Sequence, residues 1–161
     1  MQALVTGGAG FIGSHLVQRL LADGHAVRIV DNFSTGRPEN VAGFQGAATV
    51  TVHRADVADF QALRPAFDGV DWVFHVAALA DIVPSIQRPL AYYHANVTGT
   101  AAVLEAARLA GAKRFVYAAS SSCYGIAETF PTPEHAPIRP QYPYALTKYL
   151  GETLMLHWGH V

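Results

Sequence analysis

The sequence predicts an α/β fold, a doubly wound parallel sheet with helices on both faces. Short apolar runs alternate with helix-patterned stretches along the whole chain, the order that successive parallel βαβ units require. Those runs barely alternate in polarity, as strands buried on both sides do. A glycine-rich turn also separates the first run from the first helical stretch.

Each element follows from local pattern. Ala3-Leu4-Val5 forms a short buried strand, and residues 11–22 form a helix with Phe11, Ile12, His15, Leu16, Arg19 and Leu20 at helical spacing. Asp23-Gly24-His25 ends it, and Ala26-Val27-Arg28-Ile29-Val30 is the second strand. Residues 32–46, rich in Gly, Ser, Asn and Pro, read as loop with at most a turn of helix. Thr49-Val50-Thr51-Val52-His53 is the third strand, and residues 59–67 make a short helix weakened by Pro65. Asp71-Trp72-Val73-Phe74-His75 is the fourth strand. A long Ala-rich helix over 89–110 ends at Gly111, before a fifth strand, Arg114-Phe115-Val116-Tyr117-Ala118. Residues 125–142 carry Pro131, Pro133, Pro137 and Pro140 and read as a surface loop, followed by a last helix over 144–157. No repeat or linker interrupts the pattern, so 1–161 is expected to be a single domain.

Composition narrows the function classes. A chain of 161 residues, 51% hydrophobic and 14% charged, is long enough for a core and too apolar for disorder. Eleven Lys+Arg against 12 Asp+Glu leave no basic surplus for a nucleic-acid or anionic-membrane partner. One cysteine, Cys123, excludes a disulfide framework and fits a reducing, cytoplasmic location; without a placed basic partner it reads as a packing residue. No charge-free apolar run reaches about 18 residues, so no membrane span is expected. The start, Met1-Gln2-Ala3, has no basic region or cleavage site, so no signal peptide is expected either. The eight histidines are scattered without H-E-x-x-H, and no metal site is expected. His75, at a strand end, is expected to hydrogen-bond the backbone.

Thr6-Gly7-Gly8-Ala9-Gly10-Phe11-Ile12-Gly13 satisfies G-x-G-x-x-G through Gly8, Gly10 and Gly13, and G-x-x-G-x-x-G through Gly7, Gly10 and Gly13. A diphosphate needs close backbone approach, free N–H donors and the positive end of a helix dipole, and a glycine loop entering a helix supplies all three. A strand precedes the loop and a helix and second strand follow, the context that makes this motif a dinucleotide signal. The second strand leads into Asp31, 18 residues beyond Gly13. A carboxylate there accepts both adenosine ribose hydroxyls and repels a 2′-phosphate, which favours NAD over NADP. Arg37 reads as a solvated loop charge.

Tyr144 and Lys148 lie four residues apart in the last helix, hence on one face. A free phenol titrates near pH 10, and a neighbouring ammonium favours its ionised form, which suits general acid–base work on an alcohol. Ser120, Ser121 and Ser122 leave the carboxyl end of the fifth strand, where ligands gather in open α/β sheets. A hydroxyl there holds a reacting alcohol beside the phenol.

These segments, with Asp56-Val57, His75-Val76-Ala77-Ala78 and Asn96-Val97-Thr98-Gly99, resemble the extended short-chain dehydrogenase/reductases, and within them the nucleotide-sugar 4-epimerases. The resemblance covers almost the whole chain and implies a Rossmann domain. It implies that Gly7, Gly10 and Gly13 hold the pyrophosphate, with Phe11 and Ile12 adding backbone donors. Asp31 and Asn32 match the adenosine ribose contacts, Asp56 and Val57 the adenine pocket, and Val76, Ala77 and Ala78 the wall along the cofactor. Asn96 matches a cofactor-site asparagine that steadies the active-site strand. Ser120, Tyr144 and Lys148 match the catalytic serine, tyrosine and lysine; Tyr144 and Lys148 are also expected to touch the cofactor, Lys148 at the nicotinamide ribose. Ser121 and Ser122 are substrate candidates.

The resemblance also selects a reaction. Sugar 4,6-dehydratases of this group carry an Asp-Glu pair after the catalytic Thr or Ser, and related decarboxylases a nearby Glu. Ser121 and Ser122 stand in those places, so oxidation and re-reduction at C4 of a UDP-sugar through a 4-keto species is expected. Tyr144 would take and return the 4-hydroxyl proton. The alternatives are an NAD-binding module without turnover, or a reductase or dehydratase of another nucleotide sugar or alcohol. Family members continue into a C-terminal substrate domain, so the sheet is expected to be incomplete at its C-terminal end and a fragment inactive alone. The helices at 89–110 and 144–157 match a family dimer interface, which implies a homodimer.

Overall fold

The computed structural model describes residues 1–44 and 46–160; Gln45, inside the expected 32–46 loop, and the terminal Val161 lie outside the described residues. Five parallel strands, β1 (Gln2–Thr6), β2 (Ala26–Asp31), β3 (Val50–Arg54), β4 (Trp72–His75) and β5 (Arg114–Tyr117), form one sheet in the order β3-β2-β1-β4-β5. The helices are α1 (Phe11–Ala22), α2 (Glu39–Ala42), α3 (Phe60–Leu63), α4 (Ile82–Gln87), α5 (Pro89–Tyr93), α6 (Gly99–Leu109) and α7 (Pro143–Trp158). Among the described residues, no helix is long and apolar enough to cross a membrane.

Side chains alternate across each strand, so every inner strand feeds two cores. Leu4, Val30 and Val73 point to one face and pack with Leu63, Phe67 and Val103. Ala3, Val5, Val27 and Ile29 point to the other and pack with Val17 and Leu20 of α1 and Val41 of α2. Both faces are therefore covered. The edge strands β3 and β5 differ from the expectation of full burial: β5 alternates exposed and half-buried residues, and Val116 is 45% exposed.

The chain begins in the middle of the sheet, builds outward to β3, then crosses to β4 on the other side of β1. That reversal parts the β1 and β4 connections at their carboxyl ends and opens a crevice there.

Three elements depart from the expected pattern. Helix α4 lies where no element is expected; its Pro84 occupies the first turn, where a missing N–H breaks no intrahelical bond. The helix at 59–67 splits into α3, capped by Asp59, and a tighter 3₁₀ turn at Arg64–Phe67 that accommodates Pro65 near its start. The long helix at 89–110 is interrupted by a π-turn, His94–Thr98, between α5 and α6. Its wider winding lies where Asn96 is buried, a placement common near functional sites.

Candidate functional site

The crevice is a cleft of about 650 Å³ at the carboxyl ends of β1, β2 and β4. Its floor is the glycine loop, lined by Gly7, Gly10, Phe11, Ile12 and Gly13. Glycine is required here by space. Gly7 has φ +69°, and a Cβ on it would stand 2.7 Å from the Ala77 nitrogen. A Cβ on Gly13 would run into the Gly7 carbonyl. The loop is held by Gly7 N–H donating to the Val30 carbonyl (2.8 Å) and Gly10 N–H to the Gly7 carbonyl (3.0 Å). Helix α1 begins there with no side-chain cap, so its first N–H groups face the cleft as donors.

One end of the cleft holds Asp31, Asn32, Asp56 and Val57. Asp31 is buried, and its two oxygens each accept one backbone N–H, from Ala9 (2.9 Å) and Phe33 (2.8 Å). A carboxylate has room for about four hydrogen bonds, so both oxygens retain acceptor capacity toward the cleft. Asn32 donates its amide to Asp56 (2.9 Å), whose other oxygen accepts Ala58 N–H (2.9 Å). Val76, Ala77 and Ala78 form the opposite wall. The structure thus gathers the glycine loop, the acidic ribose candidates and the wall around one volume, and the shape and donors fit a dinucleotide.

Behind the wall lies a buried polar chain. The Thr6 hydroxyl and His75 Nδ1 are 2.6 Å apart, and His75 Nε2 is 2.9 Å from the Thr100 hydroxyl, which donates to the Asn96 carbonyl (2.6 Å). Because the one Thr100 hydrogen is committed to Asn96, the network assigns the proton of His75 to Nε2 and makes Thr6 the donor to Nδ1. Thr6 Oγ1 in turn accepts the N–H groups of Val76 and Ala77 (3.2 Å each). His75 therefore bonds two threonine hydroxyls, in place of the backbone contact expected from sequence. Desolvation, helped by the Lys148 charge, pushes its pKa down to about 3, so it is neutral.

Asn96 is not among the residues that line the cleft. It is 1% exposed, and its side chain clasps both backbone polar groups of Leu79 (2.8 and 3.0 Å) and the Thr147 hydroxyl (3.0 Å). It ties the cleft wall to α7. Tyr92 adds a second tie: its hydroxyl donates to the Ala80 carbonyl, and its ring meets Tyr144 edge-on at 6.4 Å.

Tyr144 and Lys148 sit on successive turns of α7, and neither they nor Ser120 lines the cleft. Lys148 is 4% exposed, and desolvation lowers its pKa to about 8 against an opposing pull from Glu152. Ser120 caps a 3₁₀ turn, Ser121–Tyr124, accepting Ser122 N–H (3.2 Å), which leaves its hydroxyl hydrogen free to donate outward. Ser121 is exposed and Ser122 half-buried. Cys123 is buried, and burial pushes its thiol pKa up, in keeping with a packing role. No group of three or more His, Cys, Asp or Glu placed to hold a metal occurs among the described residues.

Sequence reasoning missed Arg88 and His94, which also line the cleft, with Leu79, Ala80, Ala91 and Ala95. Arg88 immediately precedes α5 and places a cation at the cleft's lining. Its one sequence signal is a lone positive charge before Pro89.

Residues 3–160 match the family described as the NAD dependent epimerase/dehydratase family. The chain is 42% identical over 158 residues to UDP-glucose 4-epimerase of Mycolicibacterium smegmatis, covering 96% of this chain and 50% of that protein. Among solved structures, UDP-glucose 4-epimerase of Thermus thermophilus in complex with NAD superposes with a TM-score of 0.88 at 37% identity, over 99% of this chain and 51% of that one. DesIV, a dTDP-glucose 4,6-dehydratase from Streptomyces venezuelae with NAD and TYD bound, gives 0.94 at 31% identity, over 100% and 52%. The chain spans about half the length of the curated relatives it matches.

Proposed function

Because the chain belongs to the NAD dependent epimerase/dehydratase family, we propose that it is the NAD-binding and acid–base portion of a UDP-sugar 4-epimerase. The observation that carries this reading is the joining of two sites. Asn96 and Tyr92 fasten the cleft wall at Leu79 and Ala80 to the helix that bears Tyr144 and Lys148. A dinucleotide lying along that wall meets the acid–base groups at its end.

The loop Gly7–Gly13 and the N-terminus of α1 bind the diphosphate, with Arg88 as a balancing cation. Asp31 and Asn32 take the adenosine ribose hydroxyls, and Asp56 and Val57 border the adenine. When bound, NAD would supply the hydride-accepting and hydride-donating chemistry. The chain's own work is proton transfer. Tyr144 accepts the proton of the sugar 4-hydroxyl and gives it back. Lys148, charged below about pH 8, supplies a cation one turn along the same helix. Ser120 donates its free hydroxyl hydrogen to the reacting oxygen, with Ser121 and Ser122 beside it for the sugar.

The backbone serves a dehydratase equally well, as the DesIV superposition illustrates. The side chains favour epimerisation: elimination of water needs an added acid and base, and the two positions after Ser120 are serines. The substrate-binding remainder lies in the half of the relatives that this chain does not span. Two copies of the cytoplasmic protein pair through exposed apolar side chains on α5 and α7, among them Leu90, Tyr93, Leu146 and Leu156.

The test is interconversion of UDP-glucose and UDP-galactose by the full-length protein. Tyr144→Phe is expected to lower kcat by about 10²-fold or more with NAD binding intact. Unchanged kcat in that variant refutes the mechanism, and NAD binding without turnover in the wild type favours the binding-module alternative.

A further inference from the structure

The charge on Lys148 has an unusual environment. The side chain is 4% exposed, yet among the described residues no carboxylate forms an ion pair with it. A buried ammonium without a counter-charge is costly and tends to lose its proton. What faces it is an aromatic ring: Nζ lies 4.1 Å from the centroid of Tyr117, the last residue of β5. The Tyr117 hydroxyl donates to the backbone carbonyl of the same lysine (3.2 Å).

We propose that Tyr117 is the positioning residue of the Lys148 ammonium, its ring face taking the place of a counter-carboxylate and its hydroxyl fixing the lysine's backbone. A ring quadrupole stabilises a nearby cation without adding a charge, and does so most strongly where water is excluded. A carboxylate in that place would form an ion pair and fix the lysine to itself. The ring is itself held from two sides. His75 packs at 5.7 Å between centroids, and α7 approaches the phenol closely because residue 151 is glycine; a Cβ there would strike the Tyr117 hydroxyl and lie 3.4 Å from Thr100 Oγ1. The buried histidine chain behind the cleft wall therefore ends at the ring that carries the lysine.

The titratable groups that act on Nζ are Glu152 on α7, His75 on β4 and Tyr117 on β5, with Tyr144 on α7 beside the Tyr117 ring. His75 is neutral, and burial raises the Tyr117 pKa so that its phenol stays protonated. Glu152 is thus the charged neighbour whose effect must be separated from the ring's.

The proposal rests on the reading above only in taking Lys148 as the lysine of the reaction, and it is tested without turnover. The protein is labelled with ¹³Cε-lysine and titrated by NMR. These 161 residues contain two lysines, Lys113 and Lys148, and the Lys148 signal is identified by its loss in Lys148→Arg. Tyr117→Phe keeps the ring face and is expected to leave the lysine pKa within about half a unit. Ring-fluorinated phenylalanines at 117 retain the shape while cancelling the quadrupole. Across that series the Lys148 pKa is expected to fall stepwise by about one unit in all, a tenfold change in its dissociation constant. Lys113 stays constant as the internal control. If the pentafluoro variant does not fold, the di- and trifluoro members report the same trend, and Glu152→Gln measures the carboxylate separately. A Lys148 pKa that is flat across the fluorinated series overturns the proposal. A falling pKa without epimerase activity in the wild-type full-length protein refutes the reading of the reaction and leaves the role of Tyr117 standing.

Discussion

Acidification should unfold this protein through one buried histidine. His75 titrates near pH 6.5 when unfolded and near 3 in the fold. Between those values the unfolded chain binds a proton that the native protein refuses, so stability is full above pH 6.5 and is lost as pH falls. The native refusal comes first from burial, which strips water from the charged ring, and next from the Lys148 charge; the bonding leaves no relief. A second ring N–H on Nδ1 would face Thr6 Oγ1, whose acceptor sites already take the N–H groups of Val76 and Ala77. The two pKa values lie about 3.5 units apart, so the full effect is about 5 kcal/mol, of which about 2 kcal/mol is lost between pH 8 and pH 5. That is a large share of the stability of an ordinary domain. The control is His75→Gln, whose amide can donate to Thr100 and accept from Thr6 but does not titrate. Urea denaturation of both proteins at pH 8, 7, 6 and 5 yields the free energies by linear extrapolation. The wild type should be the more stable at pH 8, and the gap should narrow by about 2 kcal/mol by pH 5. His53 and the carboxylates are common to both and cancel. Parallel pH profiles would refute the assignment of His75 as a neutral, doubly bonded core residue.

Asp31→Asn puts an amide N–H against one of the two backbone donors, Ala9 or Phe33, and is expected to cost about 1–3 kcal/mol. Calorimetry should also show the preference for NAD⁺ over NADP⁺ narrowing by about tenfold; an unchanged ratio removes Asp31 from cofactor selection. Gly7→Ala should cost more than about 2 kcal/mol and abolish dinucleotide binding, because a strained φ and a backbone clash with Ala77 combine. Gly24→Ala has φ +80° with nothing within 4 Å, so thermal melts should show only the left-handed penalty of about 1–2 kcal/mol. Leu63→Ala, at a fully buried position, should lower stability by about 2–5 kcal/mol with dinucleotide affinity unchanged.

Much of this molecule was legible from local pattern. Helix α1 occupies 11–22 as its spacing predicts, since Gly10 opens it and Gly24, at φ +80°, turns the chain out of it. The glycine loop and Asp31 were readable because steric need and charge choice leave few residue types possible at those places. Helix α4 was hidden because Pro84 looks like a breaker, whereas it occupies the first turn. The π-turn carries no signal that periodicity can detect, since one extra residue shifts the helical phase within a run of small and apolar side chains. Arg88 was overlooked because a single exposed cation has no pattern.

The sequence by itself determined the order of the five strands and the cleft's glycine floor, for these depend on steric and chemical constraints acting over a few residues. The tertiary structure decided what those residues do to one another. Tyr117 and Lys148 stand 31 positions apart, and His75 meets Thr6 across 69 and Thr100 across 25. Their charge states follow from burial, from the donors each already serves and from the ring that one presents to another. Those quantities exist only once β1, β4 and β5 lie side by side beneath α6 and α7.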